Sequence, residues 1–417
     1  MLGRYARWRN RALAFLAGAP GRTPRPPLLA AASNLPPRRP PVSSRRRRSK
    51  RRLKRQLGAG VIPRMRPDRS FRARGVLRRW GLTPATAYAV GAIRHPERPA
   101  IIDEWGAESF LDVHLRTDAI AHSMRSAGIG RGDIVAIMCA GHRGLIEASV
   151  ATSKLAANVI FLHPGTSVEE LRRTILVAQP SMLICDEQHE ETLAAVECPG
   201  ALRVAWSEPG RESRRATLED LAARAGSVSL EGPEAGALSR FALAPAGASQ
   251  QRRTVRCSLM IPSVVNSRIP LRPREATLIA APIIEPWGFA HLTLAMRLAS
   301  TVVLRRRFDP VETLAAVQRH DVTALALLPS MLARIVTLPR ETLAWYPAAL
   351  RVIAVMGPAL PCEVAIPAIE RFGDVLYNLP GRPMLRLDGH WPLGHARPII
   401  AAPVQASMAR GTAPGVS

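Results

Sequence analysis

From about residue 95 to residue 380, short apolar runs alternate with stretches of helical periodicity, and this alternation sets the fold class. Ile134–Cys139 is apolar throughout, as a strand covered on both faces should be. Ala100–Ile102, Val159–Leu162, Met182–Cys185 and Leu202–Trp206 read as further strands, with a turn at Trp105-Gly106. Between them, Asp112–Ser126 gathers Val113, Ile120 and Met124 on one face, joined by Ala127, and His142–Leu155 is again helical. Ser167-x-x-Glu170 matches a capping box opening the next helix. After a polar, Gly-rich stretch at 207–240 the pattern resumes. Thr277–Ala281, Thr301–Leu304, Ala324–Leu328 and Val352–Val355 are expected strands; Trp287–Leu298, Val311–Arg319 and Glu363–Phe372 are expected helices, with Asp309-Pro310 a helix start. Repeated strand–helix alternation predicts an α/β fold of parallel sheets covered by helices.

The charge is uneven. The 417 residues carry a net +26, but 24 of the 58 basic residues and one of the 32 acids lie in 1–80, so that segment holds +23 and the rest +3. A nearly neutral body argues against nucleic-acid binding by the body itself. Residues 1–62 are rich in Pro and Arg, with the run Arg45-Arg46-Arg47-Arg48, and read as a disordered basic arm. Two readings of it stand: a solvated tail or upstream extension, and a contact to a polyanion or anionic lipid surface. Residues 63–94 read as a helical lead-in to a domain over 95–380, whose two subdomains are expected to join near 207–240. No apolar stretch approaches the ~20 residues of a membrane span. Five irregularly spaced cysteines without CxxC predict neither a disulfide framework nor a metal site; Cys185 and His189 are too few ligands. The expected placement is cytoplasmic, with peripheral membrane contact through the arm.

Several segments carry a family likeness. Arg94-His95-Pro96-Glu97-Arg98-Pro99-Ala100-Ile101-Ile102-Asp103, then Ser109-Phe110-Leu111-Asp112-Val113, then Gly128-Ile129-Gly130-Arg131-Gly132-Asp133 resemble the opening of adenylate-forming enzymes. Phe308-Asp309-Pro310 through Leu328-Pro329, Gly357-Pro358-Ala359-Leu360-Pro361 and Leu376-Tyr377-Asn378-Leu379 continue it in family order. The chain thus resembles the large amino-terminal domain of AMP-forming fatty-acyl-CoA synthetases, nearest to actinobacterial-type fatty-acid ligases. The resemblance implies fatty acid, ATP, Mg²⁺ and CoA as reactants: the carboxylate attacks the α-phosphate of ATP, and CoA thiolate then displaces AMP. It ends near 380. Residues 381–417 read as unrelated coil, as though a reading frame had been lost, and the family's carboxy-terminal lobe has no counterpart in them.

The same resemblance locates candidate sites, each altered. A Ser/Thr/Gly-rich phosphate loop ending in Lys is expected after Phe241-Ala242-Leu243; this chain keeps Gly247, a hydroxyl at Ser249 and a cation at Arg253. Hydroxyls and close backbone N–H groups cradle phosphates, and Pro245, Ala246, Ala248, Gln250 and Thr254 remove them, so a plain polar loop is the competing reading. After Asn378, where relatives have a Tyr-Gly-Ser-Thr-Glu motif, Gly381, Pro383 and Met384 lack the phosphate-contacting hydroxyl and the metal-binding carboxylate. Glu285, Trp287 and Gly288 stand at the turn that borders the acyl pocket; Glu285 replaces a His and would repel a carboxylate unless protonated. Trp287 reads equally well as a core residue. Gly357 and Ala359 match a turn beside adenine, or a plain strand–helix turn. His142, His163 and His320 read as isolated histidines. The expected function is a ligase with impaired or no activity; the alternatives are a non-catalytic acyl- or nucleotide-binding pseudoenzyme or gene remnant, and a polyanion binder working through the arm.

Overall fold

The computed structural model describes residues 66–81, 83–196, 200–207, 215–225, 241–244, 253–255, 269–346, 349–357 and 360–380. Two helices lead in: α1 (Pro67–Trp80) and α2 (Pro84–Arg94). They are followed by β1 (Pro99–Asp103), β2 (Gly106–Ser109), α3 (Phe110–Ser126), β3 (Ile134–Met138), α4 (Arg143–Lys154), β4 (Asn158–Leu162), α5 (Val168–Ala178), β5 (Met182–Asp186), α6 (Glu190–Ala194) and β6 (Ala201–Trp206). Next come α7 (Leu218–Ala225), β7 (Phe241–Ala244), β8 (Arg253–Val255), β9 (Ala276–Ile279), α8 (Pro286–Leu298), β10 (Thr301–Leu304), α9 (Pro310–Arg319) and β11 (Val322–Leu327). The last described elements are α10 (Pro329–Val336), α11 (Arg340–Ala344), β12 (Val352–Gly357), α12 (Cys362–Phe372) and β13 (Leu376–Pro380).

The strands form two sheets, in the orders β13-β12-β11-β9-β10-β1-β2 and β6-β5-β3-β4-β7-β8. Every pairing is parallel except the edge hairpins β1–β2 and β7–β8, so the expected parallel, helix-covered sheets are present. The chain leaves the seven-stranded sheet after β2, builds the whole six-stranded sheet, and returns with β9. The stretch at 207–240 lies between β6 and β7, both strands of the six-stranded sheet. Within its described part, Thr217 and Asp220 cap α7 reciprocally, Thr217 N donating to Asp220 Oδ2 at 2.7 Å and Asp220 N to Thr217 Oγ1 at 3.1 Å. A similar pair moves the start of α3 two residues ahead of the sequence expectation, because Ser109 and Asp112 form a full capping box. At α5 only half the expected box forms, with Ser167 accepting from Glu170 N.

One apolar cluster joins the sheets, holding Val302, Leu304 and Ala326 of one, Ile137, Phe161 and Ile184 of the other, and Leu145, Phe289 and Leu292 of the helices between. Helix α4 is buried at all of its residues, and α8 from Trp287 to Leu298. A wholly buried helix is usually apolar all round, but α4 brings in three charged side chains, each paired. Arg143 Nε lies 3.0 Å from both carboxylate oxygens of Asp103, Glu147 accepts from Arg116 at 2.7 Å, and Lys154 donates to Asp118 at 2.6 Å. A second cluster packs α9, α10 and α12 on the outer face of the seven-stranded sheet through Leu314, Leu332 and Ala365. Among the described residues no helix is long and apolar enough to cross a membrane.

Candidate functional site

In an open parallel sheet, ligands bind outside the carboxyl ends of the strands, where successive connections diverge to either side. The seven-stranded sheet has that point between β9 and β11, since β10 lies on one side of β9 and β11 on the other. The turn flagged in the sequence sits there. Ala280 N and Ala281 N both donate to Ala326 O, at 3.0 and 3.1 Å, so the chain bends across β11 as it leaves β9. Glu285 is the N-cap residue of α8, half-buried, and Pro286 opens the helix. Trp287 is 3% exposed, and its indole Nε1 donates to the Leu327 carbonyl at 3.0 Å. Gly288 fits because a Cβ there would lie 2.2 Å from the Pro282 carbonyl oxygen. Trp287 is therefore a core pin at the crevice, and Gly288 owes its identity to a close backbone approach.

The sheet register adds further residues to this edge. Leu327 pairs with Val355, and Val355 with Asn378, so Asn378 lies in the row of the carbonyl that Trp287 binds. Gly357 pairs with Pro380 at the carboxyl ends of β12 and β13. Arg253 pairs with Leu243 in the β7–β8 hairpin of the other sheet. Gly247, Ser249, Ala359, Gly381, Pro383 and Met384 lie outside the described residues, as does the basic arm at 1–62.

One residue at the crevice escaped the sequence analysis. His291, one turn beyond Trp287, is 1% exposed, with its ring centroid 4.1 Å from that of Trp287 in an edge-on arrangement. Among the described residues neither ring nitrogen has a partner in hydrogen-bonding geometry. Burial drives its pKa down to about 4, opposed by the Trp287 backbone, so the imidazole is neutral near pH 7. A neutral imidazole has one donor and one acceptor nitrogen to offer.

The six-stranded sheet has its own divergence point, between β3 and β5, and it is filled. His142 Nε2 lies 2.7 Å from Asp186 Oδ1, while Ala140 N donates to Asp186 Oδ2 at 2.9 Å and Gly144 N to His142 Nδ1 at 3.0 Å. His142 is thus not isolated, as the sequence suggested, but half of a buried pair. Cys139 Sγ joins these groups within 4.8 Å, its thiol pushed up by burial and by Asp186. With both imidazole nitrogens and both carboxylate oxygens engaged, the group forms a closed hydrogen-bonded knot. Trp206 packs over His142 and stacks on Trp105 at 4.0 Å, and Arg306 covers Trp206 at 4.5 Å. These contacts bring the carboxyl ends of β1 and β10 against that of β6, so the two sheets present their carboxyl edges at a common end.

Two mainly parallel sheets with helices between them and their carboxyl edges at a common end define a helix-covered α/β class. The family model for AMP-binding enzymes matches residues 89–235 and 247–381, and the chain belongs to that family. It is 27% identical over 282 residues to a feruloyl-CoA synthase of Amycolatopsis sp, covering 66% of this chain and 54% of that protein. It is 25% identical to 4-coumarate–CoA ligase 5 of Oryza sativa subsp. japonica, covering 56% and 45% respectively. The chain thus spans about half the length of the curated relatives it matches. Among solved structures, a putative long-chain-fatty-acid CoA ligase from Rhodopseudomonas palustris CGA009 superposes with a TM-score of 0.61 at 20% identity, covering 71% of this chain and 74% of that one. An acyl-CoA synthetase from Brucella canis gives 0.63 at 17%, covering 72% and 57%. At such identities these two show the shared fold.

Proposed function

We propose that the chain binds a carboxylic acid together with an adenine nucleotide at the carboxyl edge of the seven-stranded sheet, and converts them to acyl-adenylate slowly or not at all. The observation that supports this is the divergence point between β9 and β11, where Trp287 is pinned to the Leu327 carbonyl and packs on His291, with Asn378 in the same row two strands away. Attack of a carboxylate on an α-phosphate requires charge neutralisation and in-line positioning. In the sequence, Gly247, Ser249 and Arg253 are what is left of the phosphate loop. Pro383 offers no hydroxyl, and the Met384 thioether is no ligand for a hard cation, so this donor set does not fit Mg²⁺. Losing one preorganised donor typically costs ~3 kcal/mol of barrier, on the order of a hundredfold in rate. Several such losses take turnover below ordinary detection even where they are far from additive.

The unpaired His291 favours an acid whose body carries a hydrogen-bonding group, such as an aryl hydroxyl, over a plain alkyl chain, because an alkyl chain leaves the buried imidazole unpaired. The fatty acid implied by the sequence resemblance is the comparison arm. The test measures calorimetric binding of ATP, hydroxyaryl carboxylates and fatty acids, alongside pyrophosphate release with Mg²⁺, with and without CoA. The expected result is saturable binding of nucleotide and aryl acid with no measurable release. Release near about one per second, lost on Arg253→Ala, would show a working ligase instead. No binding of either reactant would overturn the reading altogether.

A further inference from the structure

The amino ends of the seven-stranded sheet, on the edge opposite the crevice, hold a group of charges that neither the fold nor the proposed reaction uses. Helix α2 ends at Arg94, and a tight turn follows, with His95 N donating to Gly91 O at 2.7 Å and Arg98 N to His95 O at 3.2 Å. Two more arginines are drawn in through their neighbours' backbone. Arg98 Nη2 donates to the Arg274 carbonyl just ahead of β9, and Arg69 Nη1 of α1 donates to the Arg94 carbonyl at 3.4 Å. Arg274 is fixed there by its own N–H, which donates to Leu298 O at 3.1 Å, and it sits in the left-handed region at φ 68°. A non-glycine residue at that φ is held by its surroundings at some cost.

Among the described residues no salt bridge is found to Arg69, Arg94, Arg98 or Arg274. Burial holds Arg94 and Arg98 below the usual guanidinium range, and Arg274 lowers both further. Burial also lowers His95, with Arg94, Arg274, Arg98 and Arg69 all acting in the same direction. Among the described residues, Arg98 Nε and His95 Nε2 are buried without a hydrogen-bond partner. Like charges brought together in a partly dry setting repel unless a counter-charge joins them. Guanidinium forks match the paired oxygens of a phosphate.

We propose that Arg69, Arg94, Arg98 and Arg274 form a binding site for a phosphate dianion, carried either by a soluble phosphate compound or by a lipid headgroup. The site lies on the far edge of the sheet from Trp287, so it is separate from any nucleotide bound at the crevice. Arg98 Nε offers a donor, and His95 Nε2 a polar atom, without a partner among the described residues, and Arg274, exposed, gives the ligand access from solvent.

The test uses the full chain, with the basic arm present in wild type and variants alike, so that differences report the cluster. One arm titrates inorganic phosphate and pyrophosphate and follows Tm and heat. The other measures sedimentation with phosphatidylcholine vesicles, with and without phosphatidic acid. Arg98→Gln/Arg274→Gln is expected to weaken binding at least tenfold in one arm or both, and Arg319→Gln/Arg340→Gln to leave it unchanged. Loss in the first arm alone supports a soluble ligand; loss in the second alone supports a lipid headgroup. Arg274→Gln, an exposed position, serves where the double variant folds poorly. In phosphate-free buffer it should raise Tm by relieving repulsion, and in phosphate lower Tm relative to wild type. Wild-type affinity of the variants in both arms, or a lower Tm in phosphate-free buffer, would overturn the proposal.

Discussion

His142 Nε2 lies 2.7 Å from Asp186 Oδ1, and neither side chain is exposed to solvent. The His142 interaction, ahead of the Ala140 N–H, keeps the Asp186 carboxyl below its usual range against the opposing effect of burial. Asp186→Ala would leave the imidazole and the amide of Ala140 without partners at the closed point of the six-stranded sheet. The expected loss is about 3 kcal/mol, with Asp186→Asn losing less. Urea unfolding followed by Trp206 fluorescence checks it, since that ring packs on His142.

The fully buried Lys154 makes a related case. Its ammonium donates to Asp118, to Thr117 Oγ1 at 2.7 Å and to the His114 carbonyl at 2.8 Å, while burial lowers its pKa to about 8. Lys154→Ala strands Asp118 in the interior and should cost about 3–5 kcal/mol. Lys154→Met combined with Asp118→Leu should recover most of that, because no unpaired charge is left. A double-mutant cycle showing simple additivity would count against the pair.

For His291 the pH dependence has a definite sign. Its folded pKa is depressed to about 4 against roughly 6.5 unfolded, so between those values the unfolded chain binds the extra proton. The stability held above pH 6.5 is therefore lost as pH falls toward 4, by roughly 3 kcal/mol for this group. Glu147, whose pKa burial raises, acts in the opposite direction, so the useful quantity is wild type minus His291→Phe. That difference should fall with acidification; a flat curve would contradict a buried neutral imidazole.

Two glycines separate close approach from empty space. Gly288→Ala places a Cβ against the Pro282 carbonyl, a backbone atom that cannot move aside cheaply, and should cost at least about 2 kcal/mol together with ligand binding at the crevice. Gly75 in α1 has no atom within 4 Å of such a Cβ, and Gly75→Ala should stabilise by about 0.5–1 kcal/mol. Paired thermal scans of the two variants test both signs.

The fold class was legible because buried parallel strands write themselves as unbroken apolar runs: Ile134–Cys139 and Thr301–Leu304 lie within one residue of β3 and β10. Helix starts were less legible where a cap rather than a periodic face sets them, as at Ser109 and Thr217. At the turn after β9, Trp287 and Gly288 were picked out by family likeness and prove to be a core pin and a close backbone approach. His291 was not picked out, since nothing local tells a buried unpaired imidazole from a packed one. The His142–Asp186 pair joins residues 44 apart and becomes visible only once β3 and β5 are neighbours. The anion cluster was hidden for the same reason, with Arg98 and Arg274 176 positions apart.

The order in which the strands are laid down has a cost in time. Thr301 Oγ1 donates to the carbonyl of Pro99, and β1 meets its parallel neighbour β10 across a gap of 202 residues. At ribosomal speeds of about 5–20 residues per second, the β1–β2 hairpin leaves the exit tunnel roughly 10–40 seconds before that neighbour exists. The six-stranded sheet, made from one continuous stretch, can consolidate in the meantime. The apolar edge of β1, carrying Ala100 and Ile101, waits uncovered and is the segment where a holding chaperone would gain most.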